Sequence, residues 1–477
     1  MTSETSPHLV MEDDSRKPAS TALIVVLVGT FITVLDFFIG NVAVPSIQAD
    51  LNAGPTQGQM VVVGYGVAFT AGLITGGRIG DLYGRRRMFV LGMVGFALSS
   101  AACGFASGAE MLIVARVVQG IAASLMVPQV LGIIGAVYEG AHRAKAFALY
   151  GLVIGMAGVF GQLVGGALIT LDIAGLSWRT IFLINLPLCA VALAFVRRAI
   201  PESKNAAGGR LDLVGALLVS AALGLLVFAL VEGGERDWPV WSWECLAGSA
   251  VLIAITVWHL RRLAAADRGP LIEPALFRSR TFTLGLTATG SYFLAMGSFF
   301  FILALYLQFG RGLSALGSGT VFLAVGGGYF ASSIYSSRFT DAVARRVALG
   351  PVTLGAGYVL LALVVSRIGM GGSVLWLVPP LVVAGIGMGL TTGPLSNLVL
   401  GSAAPEHAAS ASGLLNTAQE GGAAIGVALA GTLFFPAVGS NGDYAHALDV
   451  TLMLLAAFCV AATAFVLLTS SRATARG

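Results

Sequence analysis

Runs of about 20 apolar residues recur along this chain, and each is long enough to cross the hydrocarbon of a bilayer as a helix. Fourteen are counted, covering 22–46, 58–80, 88–107, 111–137, 146–170, 180–198, 211–231, 245–263, 283–309, 315–337, 347–367, 374–400, 410–436 and 449–470. Hydrocarbon offers no hydrogen bonds, so a single spanning segment must satisfy its own backbone as a helix. Composition closes off the alternative. Only 10% of the residues are charged, against about 25% in a soluble domain, so no water-facing surface can be built. An all-α integral membrane protein is expected, with the lipid bilayer as its first partner. No short apolar core with a small-residue cleavage site precedes the first run, so a cleaved leader is not expected.

The net charge of +4 matters less for its size than for where it lies, and no nucleic-acid partner is expected. An even number of spans puts both ends on one side. The turns on that side hold Arg85, Arg86, Arg87, Arg143, Lys145, Arg197, Arg198, Lys204, Arg210, Arg261, Arg262, Arg268, Arg278, Arg280, Arg338, Arg345 and Arg346, while the opposite turns hold Arg179, Arg236, Arg311 and Arg367. The positive-inside rule makes the crowded side cytoplasmic. A repeat is also visible. Arg78, Asp81, Arg85 and Arg86 follow the second span, and Arg338, Asp341, Arg345 and Arg346 follow the tenth at the same spacing. The chain therefore divides into a tail (1–20), a six-helix half (21–198), a two-helix insert with its flanks (199–282), a second six-helix half (283–470) and a tail (471–477). Parallel halves of this kind place a substrate site near the midplane between them.

Five local patterns are more specific. They are Leu35-Asp36-Phe37-Phe38-Ile39-Gly40-Asn41-Val42-Ala43-Val44-Pro45 in the first span, the turn Gly77 to Arg87, and Arg116-Val117-Val118-Gln119-Gly120 in the fourth span. The fifth span carries Gly151, Gly155, Gly158, Gly161, Gly165 and Gly166, and Trp178-Arg179-Thr180-Ile181-Phe182-Leu183-Ile184-Asn185-Leu186-Pro187 enters the sixth. In this order and on these spans they resemble the major facilitator superfamily, and within it the fourteen-helix drug:proton antiporter branch. The resemblance covers about Thr21 to Thr469. It implies that Asp36 and Arg116 serve proton coupling, that Gly77, Arg78, Asp81, Gly84, Arg85, Arg86, Asp341 and Arg345 form a gating clasp, and that Gly155, Gly158, Gly161, Gly165 and Gly166 mark the antiporter helix. It also implies a cavity lined by Phe37, Phe38, Asn41, Gln119, Met126, Gln129, Tyr292, Phe299, Asn397 and Asn416, with Phe293, Phe300 and Tyr306 on the same spans. The chain departs from the pattern at Gln162, where the antiporter helix usually has proline, and in the second turn, where Ser337 and Ala344 replace glycines.

Physical chemistry bears on three of these charges. A lone carboxylate in hydrocarbon is costly unless protonated, paired or wet, and burial pushes such a group toward the neutral form, as a proton carrier requires. Asp36 is either such a carrier or a structural hydrogen-bonding group. Arg116 lies at an overlapping depth on an oppositely running helix and shares a face with Gln119; it either pairs with Asp36 or snorkels to the interface. Glu420 lies about 15 Å into the thirteenth span at ~1.5 Å per residue. It is a second proton site, a counter-charge for a cationic substrate, or a partner for another helix.

No P-loop, HExxH or nucleophile elbow occurs, and no enzyme is expected. Cys103, Cys189, Cys245 and Cys459 fall in or beside apolar runs without CxxC or metal spacing and read as packing residues. No cofactor or metal is expected, the proton gradient supplying the energy. The expected function is export of lipophilic or amphipathic small molecules in exchange for protons, by a functional monomer in a bacterial plasma membrane with both termini cytoplasmic. The same fold in an uptake carrier or uniporter, and a non-transporting sensor or scaffold, are the competing readings.

Overall fold

The computed structural model describes residues 16–138, 140–203, 212–266, 274–336, 344–403 and 408–470. Among them the chain is helical, with no strand. The N-terminal half comprises α1 (Arg16–Leu51), α2 (Pro55–Tyr83), α3 (Arg85–Gly104), α4 (Ala109–Val137), α5 (Gly140–Leu171) and α6 (Ser177–Ala199). The insert is α7 (Leu213–Glu235) and α8 (Val240–Ala265). The C-terminal half comprises α9 (Arg280–Leu305), α10 (Ala315–Ser336), α11 (Ala344–Ile368), α12 (Val374–Gly401), α13 (Ala408–Val438) and α14 (Tyr444–Ser470).

Twelve of these helices are long and apolar enough to cross a membrane, and α5, whose two parts meet at 43°, makes thirteen. The remaining one, α10, has 22 residues, about 33 Å at ~1.5 Å per residue. Its consecutive Gly326, Gly327 and Gly328 dilute its apolarity, but it packs between α5 and α12. Each of the fourteen expected runs coincides with a helix. The repeat of the gating turn is only partly visible: Asp341 lies outside the described residues, and Arg345 is exposed in the first turn of α11. The insert is central in sequence but peripheral in space. Helix α7 touches both α2 and α13, and α8 packs mainly on α7, leaving Val251, Ile253, Val257 and Trp258 exposed on its outer surface. All four cysteines are free.

Two seams join the halves, α5 against α10 and α2 against α13. Both are closed on the side opposite the arginine-rich turns, here called the far side. The Gln59 amide donates to Val427 O at 2.7 Å and the Gln308 amide to Val42 O at 2.9 Å. Glycine permits the closest approaches. A Cβ at Gly165 would lie 2.4 Å from the Ile39 side chain, and one at Gly166 2.3 Å from Ala315 O. In a membrane, where lipid is as apolar as protein, such small-residue packing holds helices together. Toward the basic side α5 is packed less closely. Gly151 shares a helix face with Gly155 and Gly158, yet it is exposed and a Cβ there would meet nothing within 4 Å. Gly166→Val is expected to wedge the far-side seam open. An impermeant maleimide added from the far side should then label Gln308→Cys faster in the Gly166→Val background than without it.

Candidate functional site

The N-terminal half buries a polar network among apolar helices. Asp36 on α1 and Arg116 on α4 form an ion pair with both side chains at 0% exposure. The second oxygen of Asp36 accepts from Gln119 Nε2 at 3.0 Å and from Asn185 Nδ2 at 2.8 Å. Gln119 sits one turn after Arg116, so its Oε1 also accepts from Arg116 Nη1 at 2.7 Å. Ser100 on α3 accepts from Gln119 at 2.8 Å and from Asn185 at 3.2 Å. Arg116 Nε donates to Val61 O at 3.0 Å, and its guanidinium lies 4.2 Å from the centroid of the Tyr65 ring. Helices α4 and α6 thus converge on the carboxylate of α1, and α3 anchors their amides through Ser100.

Two charges this deep are costly to desolvate, and the attraction between them compensates only when the geometry is good and the remaining hydrogen bonds are made. The carboxylate meets that condition through charge-assisted donors and the guanidinium through its aromatic neighbour. Arg116 Nη2 and Asn185 Oδ1 are left without partners. Neutralising Asp36 would release Arg116, Gln119 and Asn185 together. Neither side chain of the pair is exposed in this arrangement.

Glu420 is half-buried on α13. It forms no hydrogen bond or ion pair with a described residue. It lies one turn before Ala424, which packs on Gly66 of α2 across the seam between the halves. Asn416, one turn earlier on the same face, is also half-buried.

The other residues named from the sequence divide by location. Phe37, Phe38 and Asn41 lie where α1 meets the other half, and the Phe38 and Phe300 rings are 4.9 Å apart. Met126 and Gln129 are turned into the N-terminal half instead. Met126 packs beneath Gly92 of α3, and Gln129 donates to Gly76 O at 2.8 Å. Tyr292 and Phe299 are buried within the C-terminal half: Tyr292 bonds Thr392 at 2.9 Å, and Phe299 packs on Tyr358 at 4.8 Å. Phe293 is half-buried and Tyr306 bonds Gly369 O at 2.8 Å. Asn397 is exposed, on the face of α12 turned away from Tyr292. The antiporter-helix glycines seat α5 on both neighbours, Gly158, Gly161 and Gly165 against α1 and Gly155 and Gly166 against α10.

The turn after α2 forms a clasp within the N-terminal half. Asp81 accepts from Arg85 at 2.9 Å, and Arg85 reaches Gly132 O near the end of α4 at 3.0 Å. Gly77 approaches Pro128, where a Cβ would lie 3.4 Å away, and Arg78 is half-buried beside it. Gly84 takes φ 112°, a conformation open to glycine. Glu202, which the sequence did not single out, completes the clasp. It accepts from Arg86 N at 3.1 Å, capping α3, and lies 3.7 Å from the Arg86 and Arg87 side chains. Arg86 Nη1 also donates to Ile200 O at 3.1 Å. At the far side, Trp178 and Arg179 hold Asp50 at 3.0 and 2.5 Å. Ser100 and Asn185 are likewise site residues that the sequence reading does not identify. Asn185 is visible in the sequence as a polar residue just before Pro187, whereas nothing there distinguishes Ser100 from Ser99.

Comparisons with known proteins agree with this architecture. A family model described as Major Facilitator Superfamily matches residues 26–427. The chain is 38% identical over 424 residues to the probable actinorhodin transporter of Streptomyces coelicolor, covering 88% of this chain and 73% of that protein. It is 31% identical over 418 residues to the puromycin resistance protein pur8 of Streptomyces alboniger (86% and 81% covered). It is 30% identical over 432 residues to the tetracenomycin C resistance and export protein of Streptomyces glaucescens (87% and 76%). Among solved structures, a bacterial homologue of the human lysosomal transporter Spinster matches with a TM-score of 0.64 at 19% identity, covering 95% of this chain and 97% of that one. A peptide transporter of the POT family matches at 0.69 and 16%, covering 95% and 96%; at these identities the likeness is one of fold. With its two six-helix halves, its paired seams and a match running through most of its length, the chain belongs to the Major Facilitator Superfamily of membrane transporters.

Proposed function

We propose that this transporter exports amphipathic small molecules in exchange for protons, by exposing a site between its halves to the two sides in turn. The observation that carries the reading is the fully buried Asp36 carboxylate, held by Arg116, Gln119 and Asn185 on two other helices. Protonation removes the charge that these donors hold, so proton occupancy and helix arrangement are linked, and linkage makes a substrate that favours the opposite arrangement oppose the proton. The names of the relatives, which refer to resistance and export, favour the outward direction. The basic side is then the cytoplasm of a bacterial cell, and one chain suffices because each half is complete in itself.

One proton moving down one pH unit supplies about 1.4 kcal/mol, enough to sustain a tenfold gradient of a neutral substrate. In everted vesicles, ethidium accumulation should collapse when an uncoupler dissipates the pH gradient. Accumulation unaffected by the uncoupler would refute exchange with protons. Glu420 supplies the counter-charge for cationic substrates, since it lies half-buried beside the α2–α13 seam and forms no ion pair with a described residue. Glu420→Gln is expected to lower ethidium transport about tenfold, a loss of about 1.4 kcal/mol, with unchanged thermal unfolding. Equal transport by the two proteins would count against this role.

A further inference from the structure

Beyond the charged network, three uncharged polar side chains lie buried on the three helices that meet at the α1–α5–α10 junction. Asn41, Gln162 and Ser318 are each 0% exposed. Both amide atoms of Asn41, both of Gln162 and the Ser318 hydroxyl lack partners. Leaving a buried polar group unpaired costs about 1–3 kcal/mol, and here several such groups collect around one feature. Gly161, beside Gln162, packs against Phe38, one turn before Asn41 in α1. Gly319, beside Ser318, packs on the Gln162 carbonyl, where a Cβ would lie 2.6 Å away. Between them runs an aromatic layer: Phe38 meets Phe300 edge-on at 4.9 Å, and Phe300 stacks on Phe322 at 5.5 Å and 15°.

The layer has two sides. Phe38 and Phe300 retain 8% and 5% exposure, whereas the polar groups behind them have none. Toward the far side, the bonds from Gln308 to Val42 O and from Leu316 N to Thr170 Oγ1 close the seam over them. We propose that Asn41, Gln162 and Ser318 form an exit-side substrate subsite for a flat, uncharged compound bearing a phenolic hydroxyl, reached when the aromatic layer and the far-side seam part. This deepens the export reading and rests on it. Amides and a hydroxyl both donate and accept, which matches a phenol, itself donor and acceptor. None of the three residues carries a charge to balance an ion, so the ligand is neutral. Phenylalanine rings offer faces and edges to a planar ring system.

Naphthol and its methyl ether test this, because they share a ring and only naphthol donates a hydrogen bond. Binding to the full chain in nanodiscs is read by the fluorescence anisotropy of each probe. Wild type is expected to bind naphthol more tightly than the ether. Asn41→Leu and Gln162→Met, both close in volume to the native residues, should each weaken naphthol about fivefold, the scale of one hydrogen bond. The ether should bind as before. Loss of both probes alike would mean a packing role and overturn the subsite, as would an unchanged naphthol affinity or a wild type that does not discriminate. Uncoupler-sensitive ethidium accumulation, measured on the same variants, reports separately on export. If that assay fails in wild type, the export reading falls, while the binding comparison still decides whether the polar cluster takes a phenol.

Discussion

Arg116→Leu is expected to destabilise the folded chain by about 3–5 kcal/mol, the usual cost of removing one member of a buried ion pair. The substitution strands the Asp36 carboxylate at 0% exposure and leaves the Gln119 and Val61 carbonyls without their arginine donor. It also takes a cation from the face of Tyr65. Thermal unfolding in detergent should show a large downward shift. Combining it with Asp36→Asn should restore much of the loss, because the double variant buries no uncompensated charge. A single variant that melts like the parent would show that the pair carries little of the stability of this half. If the double variant melted as low as the single one, the loss would lie in packing around the guanidinium rather than in charge.

Asp36→Asn alone should behave differently, with the fold kept and coupling lost. The asparagine oxygen can still accept from Arg116. Its new NH2 would face the Gln119 and Asn185 amides, which now donate to Asp36. Asn185 Oδ1 is unpartnered, so a flip of that amide presents an acceptor and relieves the conflict. The variant should therefore fold, but it has no carboxylate to titrate at this position. Substrate accumulation, expected to rise up to about tenfold per unit of pH difference in wild type for one proton exchanged, should become independent of the gradient. Exchange of labelled for unlabelled substrate without a gradient should persist. Gradient-driven accumulation at the wild-type level would remove Asp36 from the coupling path and leave it a structural group.

The overlapping depth of Asp36 and Arg116 is legible in the amino-acid sequence, while their pairing, rather than a snorkelling Arg116, is shown by the structure. Antiparallel neighbours with a known rise per residue bring them to overlapping depths, and Gln119 follows three positions on, on the same face. Glu420 is legible as an intramembrane acid, but its direction is not. Its place beside the α2–α13 seam, one turn before Ala424, which packs on Gly66 of α2, is supplied only by the tertiary structure. Asn185 completes the coordination of Asp36, and Ser100 anchors the Gln119 and Asn185 amides, only because α6 and α3 pack against α1 and α4. Several expected cavity residues lie on the expected helices but on faces that turn elsewhere, Met126 and Gln129 toward the N-terminal half and Asn397 to the surface.

The sequence alone determined the helices, their number and the separation of charge between the two sides. Water, headgroups and hydrocarbon differ sharply along the membrane normal, and each residue type records that difference. Which face of each helix meets which neighbour was decided only by the tertiary structure. Around a spanning helix, lipid and protein interior are both apolar, so hydrophobic periodicity does not mark the inward face as it does in water. The network at Asp36, the unpartnered amides behind Phe38 and the place of Glu420 beside the α2–α13 seam all depend on that rotation, which is set by close packing at glycines and by a few buried hydrogen bonds.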